Sequence, residues 1–128
     1  MNGPVAEIVF EGYERSKPKV VGYRAKWEEG SYEYQHTPRT FDFPHADRAL
    51  LIALDTFAIE CWKVFGLRGY ARVDFRVDEQ NRPHVLEVNT NPCLSPDAGF
   101  AAAVRRAEIT MTEAVRRIVL EAAPEMSA

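Results

Sequence analysis

The chain has 128 residues, of which 46% are hydrophobic and 27% are charged, and its formal net charge is −3. This length suits one compact domain with a modest core, so we expect a single domain over residues 1–128. The small negative charge argues against a nucleic-acid-binding protein, whose surface is usually basic. Two cysteines are too few for a disulfide scaffold, and neither a signal peptide nor an apolar run of about 18 residues is recognisable. We therefore expect a cytoplasmic protein that binds neither nucleic acid nor membrane.

The first third of the chain is predicted to contain two strands, over residues 6–11 and 19–27. A polar connection over residues 12–18 separates them. Residues 28–43 follow neither the helix nor the strand period, which indicates loops.

The longest predicted element is an amphipathic helix over residues 44–65. Asp42 is expected to cap this helix, Pro44 to fit its first turn and Gly66 to end it. The apolar residues recur three and four positions apart, as they do on one face of a helix. They are Ala49, Leu50, Ala53, Leu54, Phe57, Ala58, Cys61, Val64 and Phe65. Cys61 is therefore interpreted as a core residue.

A hairpin is predicted after the helix. Residues 69–77 and 83–89 alternate between apolar and polar side chains, which is typical of half-buried strands. The polar segment 78–82 is typical of a turn between antiparallel strands. Arg72 and Asp74 lie on the same face of the first strand, because side chains two positions apart point the same way.

The second strand of the hairpin offers two further oxygen donors. Glu87 and Asn89 are predicted to share one face with Val85. If Asp74 lies opposite Glu87 or Asn89, three oxygen donors converge on one face, where facing Cβ atoms are about 5 Å apart. A slip of one residue would place Asp74 opposite Val88 and scatter the donors.

Two carboxylates and a carboxamide are hard donors, which suit Mg²⁺ or Mn²⁺ and suit zinc or copper poorly. Mg²⁺ usually takes one or two protein carboxylates and completes its octahedron with water and phosphate oxygens, so the pattern predicts a phosphate ligand. Periodicity alone favours a plainer interpretation, because a strand pair with one wet face often carries mixed charges for solubility and cross-strand pairing. The three histidines lack zinc-site spacing; they are His36, His45 and His84.

Two helices are predicted after the hairpin, over residues 98–107 and 111–123. The second begins with Thr110 and Glu113 in the spacing of a capping box. Strands, a long helix, a hairpin and two helices in this order predict an α+β fold, in which helices pack on a mainly antiparallel sheet.

The loop between the hairpin and these helices contains three further candidate residues. Ser95 and Asp97 are typical helix-start residues and are interpreted as caps, with contact to a substrate as the alternative. Cys93 could be a nucleophile, but the sequence supplies no base to activate it.

Two segments resemble a known family. The first is Arg72-Val73-Asp74 together with Leu86-Glu87-Val88-Asn89-Thr90-Asn91-Pro92, which is similar to the magnesium motif of the ATP-grasp superfamily, closest to its D-alanine:D-alanine ligase branch. The second is Tyr23-Arg24-Ala25-Lys26-Trp27 with Ser31 and Tyr34, which resembles the segment leading into a mobile loop of that family. The chain thus looks like the C-terminal lobe of an ATP-grasp fold, with a lid within residues 28–43.

The resemblance implies roles for five residues. Asp74, Glu87 and Asn89 match positions that hold magnesium ions against the terminal phosphates of ATP. Arg72 matches an arginine that stabilises charge on an acyl-phosphate and on the tetrahedral intermediate, and Lys26 matches a lysine that contacts nucleotide phosphate. Without the resemblance, Lys26 fits an exposed lysine on an edge strand equally well.

One position departs from the family pattern. The residue after the loop proline is usually glycine, whose backbone NH helps to form the oxyanion site, and Cys93 occupies that position here. A positive φ would be strained at a cysteine. The following segment, residues 94–100, resembles a less characterised ATP-grasp subgroup more than it does the cell-wall ligases.

The resemblance implies the C-terminal part of an ATP-dependent carboxylate–amine ligase, which forms an amide or peptide bond through an acyl-phosphate. ATP would be the co-substrate, Mg²⁺ or Mn²⁺ the cofactor, and a small carboxylate and a small amine the substrates. The N-terminal and central lobes of a longer parent would complete the site, so we expect this chain to be inactive alone. One alternative is a non-catalytic ATP-grasp-like binding or regulatory module, and another is an ATP-grasp enzyme that adds an amino acid to a non-peptide acid.

Overall fold

The structure, a computed structural model, describes residues 2–127 and combines helices with small antiparallel sheets. This combination confirms the predicted α+β class. The chain forms two compact units, of which the smaller is Ala6–Phe43 and the larger contains the long helix, the hairpin and the C-terminal helices. A single domain over residues 1–128 stays a prediction.

The smaller unit pairs two very short strands and adds two short helices. The strands β1 (Glu7–Ile8) and β2 (Arg39–Thr40) are antiparallel, and the helices are α1 (Tyr23–Trp27) and α2 (Tyr32–Gln35). The strand predicted over residues 6–11 is therefore present but only two residues long.

The strand predicted over residues 19–27 is wrong, because α1 occupies its second half. The main-chain NH of Lys26 donates to the carbonyl of Gly22, and Arg24 forms an ion pair with Glu28 one turn later, at 3.1 Å. Arginine, alanine and lysine all favour helix, and an i,i+4 ion pair supports it. Local propensity thus prevailed over the apolar–polar alternation, and Lys26 lies exposed on a helix instead of an edge strand.

Two hydroxyl groups hold the smaller unit together. Ser31 is buried; its hydroxyl donates to the carbonyl of Arg24 at 3.0 Å and accepts from the main-chain NH of Tyr34 at 3.1 Å, which ties α1 to α2. The Tyr32 hydroxyl donates to the carbonyl of Glu11 at 3.1 Å.

The larger unit begins with the predicted long helix. A single 3₁₀ turn, His45–Asp47, leads into α3 (Arg48–Val64), and Gly66 ends the helix with a φ of +58°. Asp42 does not cap the helix as predicted, because the 3₁₀ turn moves the N-cap to Asp47. Cys61 is only half-buried, so its assignment to the core was too strong.

The two C-terminal helices are confirmed as α4 (Gly99–Arg106) and α5 (Met111–Ala122). The Thr110 hydroxyl accepts from the Glu113 main-chain NH at 3.1 Å, which is one of the two hydrogen bonds of a capping box and caps α5. The Glu113 carboxylate accepts hydrogen bonds from Arg116 and Arg117, which lower its pKa to about 2. Buried apolar side chains come from three helices and are Leu54, Ala101, Val104 and Ala114.

No helix within residues 2–127 combines the length and the apolar character needed to cross a membrane.

Candidate metal and phosphate site

The predicted hairpin is confirmed as β3 (Arg72–Val77) and β4 (Pro83–Asn89), an antiparallel pair. Asp78 organises the turn between them, because its Oδ1 accepts from the main-chain NH groups of Gln80 at 2.9 Å and Arg82 at 3.0 Å. The Arg82 backbone bond and the His84 side chain are the largest influences that lower the pKa of Asp78, to about 2. Folding therefore favours the charged form of Asp78.

The register of the hairpin brings the predicted residues together in two cross-strand pairs. Asp74 lies opposite Glu87, and Arg72 lies opposite Asn89. Paired residues of an antiparallel ladder share a face, so all four side chains lie on one face near the open end of the hairpin. Of the two pairings that the sequence left open for Asp74, with Glu87 or with Asn89, the structure has the pairing with Glu87.

A β-bulge separates this end of the hairpin from the turn. Phe75 pairs with Val85 while Asp74 pairs with Glu87, which leaves Leu86 as an extra, unpaired residue on β4. The prediction that Val85 shares the face of Glu87 is therefore wrong, because the extra residue interrupts the strict alternation. Leu86 is 66% exposed.

Arg72 and Asp74 form a bidentate ion pair. Nε donates to Oδ1 at 2.6 Å and Nη2 donates to Oδ2 at 2.9 Å. This hydrogen-bonded pair is the main cause of the raised pKa of Arg72, and the charge of Glu87 adds to it. Each carboxylate oxygen has two lone pairs, so Asp74 can accept from Arg72 and still face a cation.

The loop after β4 fixes the third oxygen donor. The main-chain NH of Asn91 donates to Asn89 Oδ1 at 2.9 Å. The Tyr70 hydroxyl lies 3.0 Å from Asn91 Oδ1 and 3.3 Å from the carbonyl of Pro92, and its ring packs edge-on against Phe100 with centroids 5.2 Å apart. Sequence reasoning missed Tyr70, although the strand period already places it on the face of Arg72 and Asp74.

The interpretation of Ser95 and Asp97 as helix caps is wrong. Ala98 is the N-cap of α4, and no side chain caps it. Ser95 instead accepts from the main-chain NH of Ala98 through its carbonyl, at 2.9 Å, and its hydroxyl lies 3.2 Å from Cys93 Sγ. Contact of Ser95 or Asp97 with a substrate stays a prediction.

Cys93 is exposed, and hydrogen bonds from the side chain and backbone of Ser95 lower the pKa of its thiol. Its backbone avoids the strain that a positive φ would cause. Within residues 2–127 only Asn81 and Glu108 combine a side chain with a positive φ. The cysteine is thus accommodated where the family usually has glycine.

The donor set fits a cation that completes its coordination elsewhere. No group of three or more His, Cys, Asp or Glu side chains that could hold a metal occurs in the part of the chain that the structure describes. Two carboxylates and a carboxamide suit Mg²⁺ when water and phosphate oxygens supply the other positions. Lys26 lies in the smaller unit, and its role in phosphate binding stays a prediction.

Comparison with known proteins identifies the family. A family model described as D-ala D-ala ligase C-terminus matches residues 4–120. The D-alanine–D-alanine ligase of Pelotomaculum thermopropionicum is 34% identical over 116 residues, which are 91% of this chain and 33% of that relative. The corresponding ligase of Carboxydothermus hydrogenoformans is 32% identical over 118 residues, 91% of this chain and 34% of the relative. The chain therefore spans about a third of the length of these relatives.

A solved structure agrees with the sequence comparisons. The crystal structure of the D-alanine–D-alanine ligase from Bacillus anthracis complexed with ATP matches with a TM-score of 0.60 and 25% identity, over 68% of this chain and 30% of that chain. The hairpin and the loop after it both lie within the residues that the family model matches. The chain therefore belongs to the D-ala D-ala ligase C-terminus family and resembles the C-terminal part of D-alanine–D-alanine ligases.

Proposed function

We propose that this chain supplies the metal- and phosphate-binding half of the active site of an ATP-dependent carboxylate–amine ligase. The register of the hairpin carries the proposal, because it pairs Asp74 with Glu87 and Arg72 with Asn89 on one face. Exposure to solvent alone explains mixed charges on a strand face. It does not explain why the carboxamide oxygen of Asn89, beside the two carboxylates, is fixed by a hydrogen bond from the main-chain NH of Asn91. The ATP complex of the matched ligase supports ATP as the co-substrate.

Asp74, Glu87 and Asn89 would hold the Mg²⁺ or Mn²⁺ ion through their side-chain oxygens. When bound, the cation neutralises charge on the terminal phosphates of the nucleotide. Glu87 is exposed on the shared face, and Asp74 keeps 35% of its side-chain surface accessible. Both carboxylates are therefore open to a ligand that brings its own oxygens.

Arg72 would stabilise the charge that develops on the substrate. In the proposed reaction, the acid attacks the γ-phosphorus of ATP and releases ADP; an amine then attacks the acyl carbon, and phosphate leaves as the amide bond forms. Asp74 engages two of the five N–H donors of Arg72, and the others remain to face an oxyanion. Lys26 would contact a nucleotide phosphate.

A substitution of Glu87 tests the proposal. It is made in the natural-length protein, by which we mean the full gene product that contains this chain. Glu87→Gln keeps the size of the side chain and removes its charge. Loss of an outer partner of a metal site typically costs 10-fold to 100-fold in activity, so loss of a direct ligand should lower ATP-dependent ADP release by at least about 100-fold. ADP release is measured with a panel of acids and amines, which also identifies the substrates.

Glu79→Gln is the matched control, because Glu79 is an exposed glutamate in the turn of the same hairpin. It should leave ADP release unchanged. Equal loss in both variants would refute the assignment of Glu87. ATP binding without ADP release for every pair of acid and amine would favour the non-catalytic module instead, and release only with a non-peptide acid would favour the other ATP-grasp activity.

A further inference from the structure

We propose that Tyr70 is a positioning residue for the metal site. Its hydroxyl holds the side chain of Asn91, and the main chain of Asn91 in turn holds the carboxamide oxygen of Asn89 toward the face shared with Asp74 and Glu87. This inference rests on the proposed function, because it gives Asn89 the role of a cation ligand.

A hydrogen bond from Asn91 fixes the orientation of the Asn89 side chain. A main-chain NH can only donate, so the atom that accepts from Asn91 N at 2.9 Å must be the carboxamide oxygen of Asn89 and not its nitrogen. This bond selects one of the two flips of the carboxamide. One lone pair of Oδ1 is used in the turn, and the second is available to a hard cation.

The Tyr70 hydroxyl in turn holds Asn91. Asn91 is exposed and follows β4 in a loop, so its position depends on the contacts that it makes. The Tyr70 hydroxyl is 3.0 Å from its Oδ1 and 3.3 Å from the next carbonyl, that of Pro92, whose residue is buried. The hydroxyl thus reaches two successive residues of the loop that contains the Asn89 turn.

Tyr70 is itself held by the packing of its ring. The residue is half-buried, lies two positions before the start of β3, and packs its ring edge-on against Phe100 of α4. Its ring therefore stays in place when only the hydroxyl is removed. Tyr70→Phe would release the loop and retain the aromatic packing, which separates positioning from general stability.

The experiment measures cation affinity directly. Mn²⁺ is titrated by electron paramagnetic resonance into the natural-length protein with ATP present. Tyr70→Phe should weaken Mn²⁺ binding about 10-fold, the lower end of the effect of removing an outer partner of a metal ligand. The Mg²⁺ concentration for half-maximal ADP release should rise by a similar factor, while kcat at saturating Mg²⁺ stays near the wild-type value. A merely structural role would lower the melting temperature without shifting the Mg²⁺ requirement.

Tyr32→Phe is the matched control. It removes the same hydroxyl from a tyrosine that also donates to a main-chain carbonyl, that of Glu11, in the other compact unit. Mn²⁺ affinity should not change. An equal loss of affinity in Tyr32→Phe and Tyr70→Phe would overturn the inference.

The route through Asn91 is tested by a double-mutant cycle. Asn91→Ala removes the acceptor of the tyrosine but keeps the main-chain NH, so it should weaken Mn²⁺ binding as Tyr70→Phe does. Combining the two should add no further loss, because both break one contact. The inference would be overturned if the two losses of Mn²⁺ affinity multiply in the double variant. It would also be overturned if Tyr70→Phe binds Mn²⁺ as tightly as the wild type. If Tyr70→Phe does not fold, Asn91→Ala alone tests the inference. Wild-type Mn²⁺ affinity in Asn91→Ala would then refute it.

Glu87→Gln in the same titration separates this inference from the proposed function. If Glu87→Gln retains Mn²⁺ affinity, the proposed metal site itself fails. If it abolishes binding and Tyr70→Phe has no effect, only the role of Tyr70 is refuted.

Discussion

Arg72 and Asp74 are two positions apart on one strand, and the guanidinium contacts both oxygens of the carboxylate. Such pairing needs the planar fork of arginine, which lysine lacks. The side chains are 46% and 35% exposed, so the pair contributes little to folding stability. Its geometry therefore matters more for function: it fixes the direction in which the remaining N–H groups of Arg72 point.

Arg72→Lys tests this at the residue scale. Lysine keeps the charge but loses the fixed donor directions, so kcat for ADP release should fall by about 100-fold, the typical effect of losing one oxyanion donor. The melting temperature should change little. Arg76→Lys, the next arginine on the same face of β3, is the control and should retain kcat. Wild-type kcat in Arg72→Lys would contradict the role assigned to Arg72.

The strand period sufficed to predict that Arg72 and Asp74 share a face of β3 and that Glu87 and Asn89 share a face of β4. The pairing of Asp74 with Glu87 did not follow from the turn, because it depends on the extra residue Leu86 in β4. The contact from Tyr70 to Asn91 could not be predicted in this way, because it depends on how the loop after β4 packs beside α4.

At the scale of the element, the bulge reconciles two registers. From the turn to Phe75 the strands pair in one register, and from Asp74 onward they pair one residue further along β4. The extra residue, Leu86, absorbs the difference, so that the turn keeps its register while Asp74 pairs with Glu87. A regular ladder starting from the same turn would place Asp74 opposite Leu86, with Glu87 on the other face.

Two changes of chain length test this account of the bulge. Deleting Leu86 should give a regular hairpin that keeps Asp74 opposite Glu87, because only the unpaired residue is lost. Inserting one alanine between Val73 and Asp74 also permits a regular hairpin, but it should break the ligand set. Cross-strand nuclear Overhauser contacts between residues 74 and 87 and Mn²⁺ affinity should persist in the deletion variant. Persistence of both in the insertion variant would contradict the account.

Asp78 makes the turn of this hairpin sensitive to acid. Its pKa is lowered from 3.8 to about 2 in the folded state, so the charged form is favoured by folding. The stabilisation is present above pH 3.8 and is lost as the pH falls through about 2. Asp78→Asn keeps a side-chain acceptor for the turn but carries no charge. The melting temperature of the wild type should therefore exceed that of Asp78→Asn at pH 5, and the difference should shrink toward pH 2. A constant difference would contradict this assignment.

The elements differ in how far the sequence predicts them. Helices α3, α4 and α5 follow from apolar spacing and were predicted within a few residues. The segment 19–27 combines strand-like alternation with residues that favour helix. Periodicity alone predicted a strand there, whereas the structure has helix α1. The bulge could not be predicted from composition. It depends on where the register that starts at the turn meets the register that pairs Asp74 with Glu87.

At the scale of the whole molecule, the chain buries few side chains for its length. In the part of the chain whose burial the structure describes, the buried apolar residues besides Pro92 are one leucine, one valine and two alanines, all on helices. Large apolar side chains remain exposed on α1 and at the end of α3, including Trp27 at 66% and Val64 at 76%. Because the chain spans about a third of its relatives, we expect these surfaces to pack against further parts of a longer ligase.

The isolated chain should therefore show no turnover. The resemblance assigns the clamp for adenine and ribose and a substrate lobe to other parts of the parent. Residues 1–128 alone should release ADP at the background rate with substrates that the natural-length protein uses. ADP release is measured for both proteins at equal concentration. Turnover by the short chain would show that this unit contains a complete active site.

The thiol of Cys93 offers a practical handle on this loop. It is exposed and its pKa is lowered, so more of it is thiolate near neutral pH than for an ordinary cysteine, whereas Cys61 is half-buried in α3. A maleimide fluorophore should consequently attach to Cys93 first. The dye would then sit four residues beyond Asn89, and its emission could report nucleotide and cation binding without any engineered labelling position.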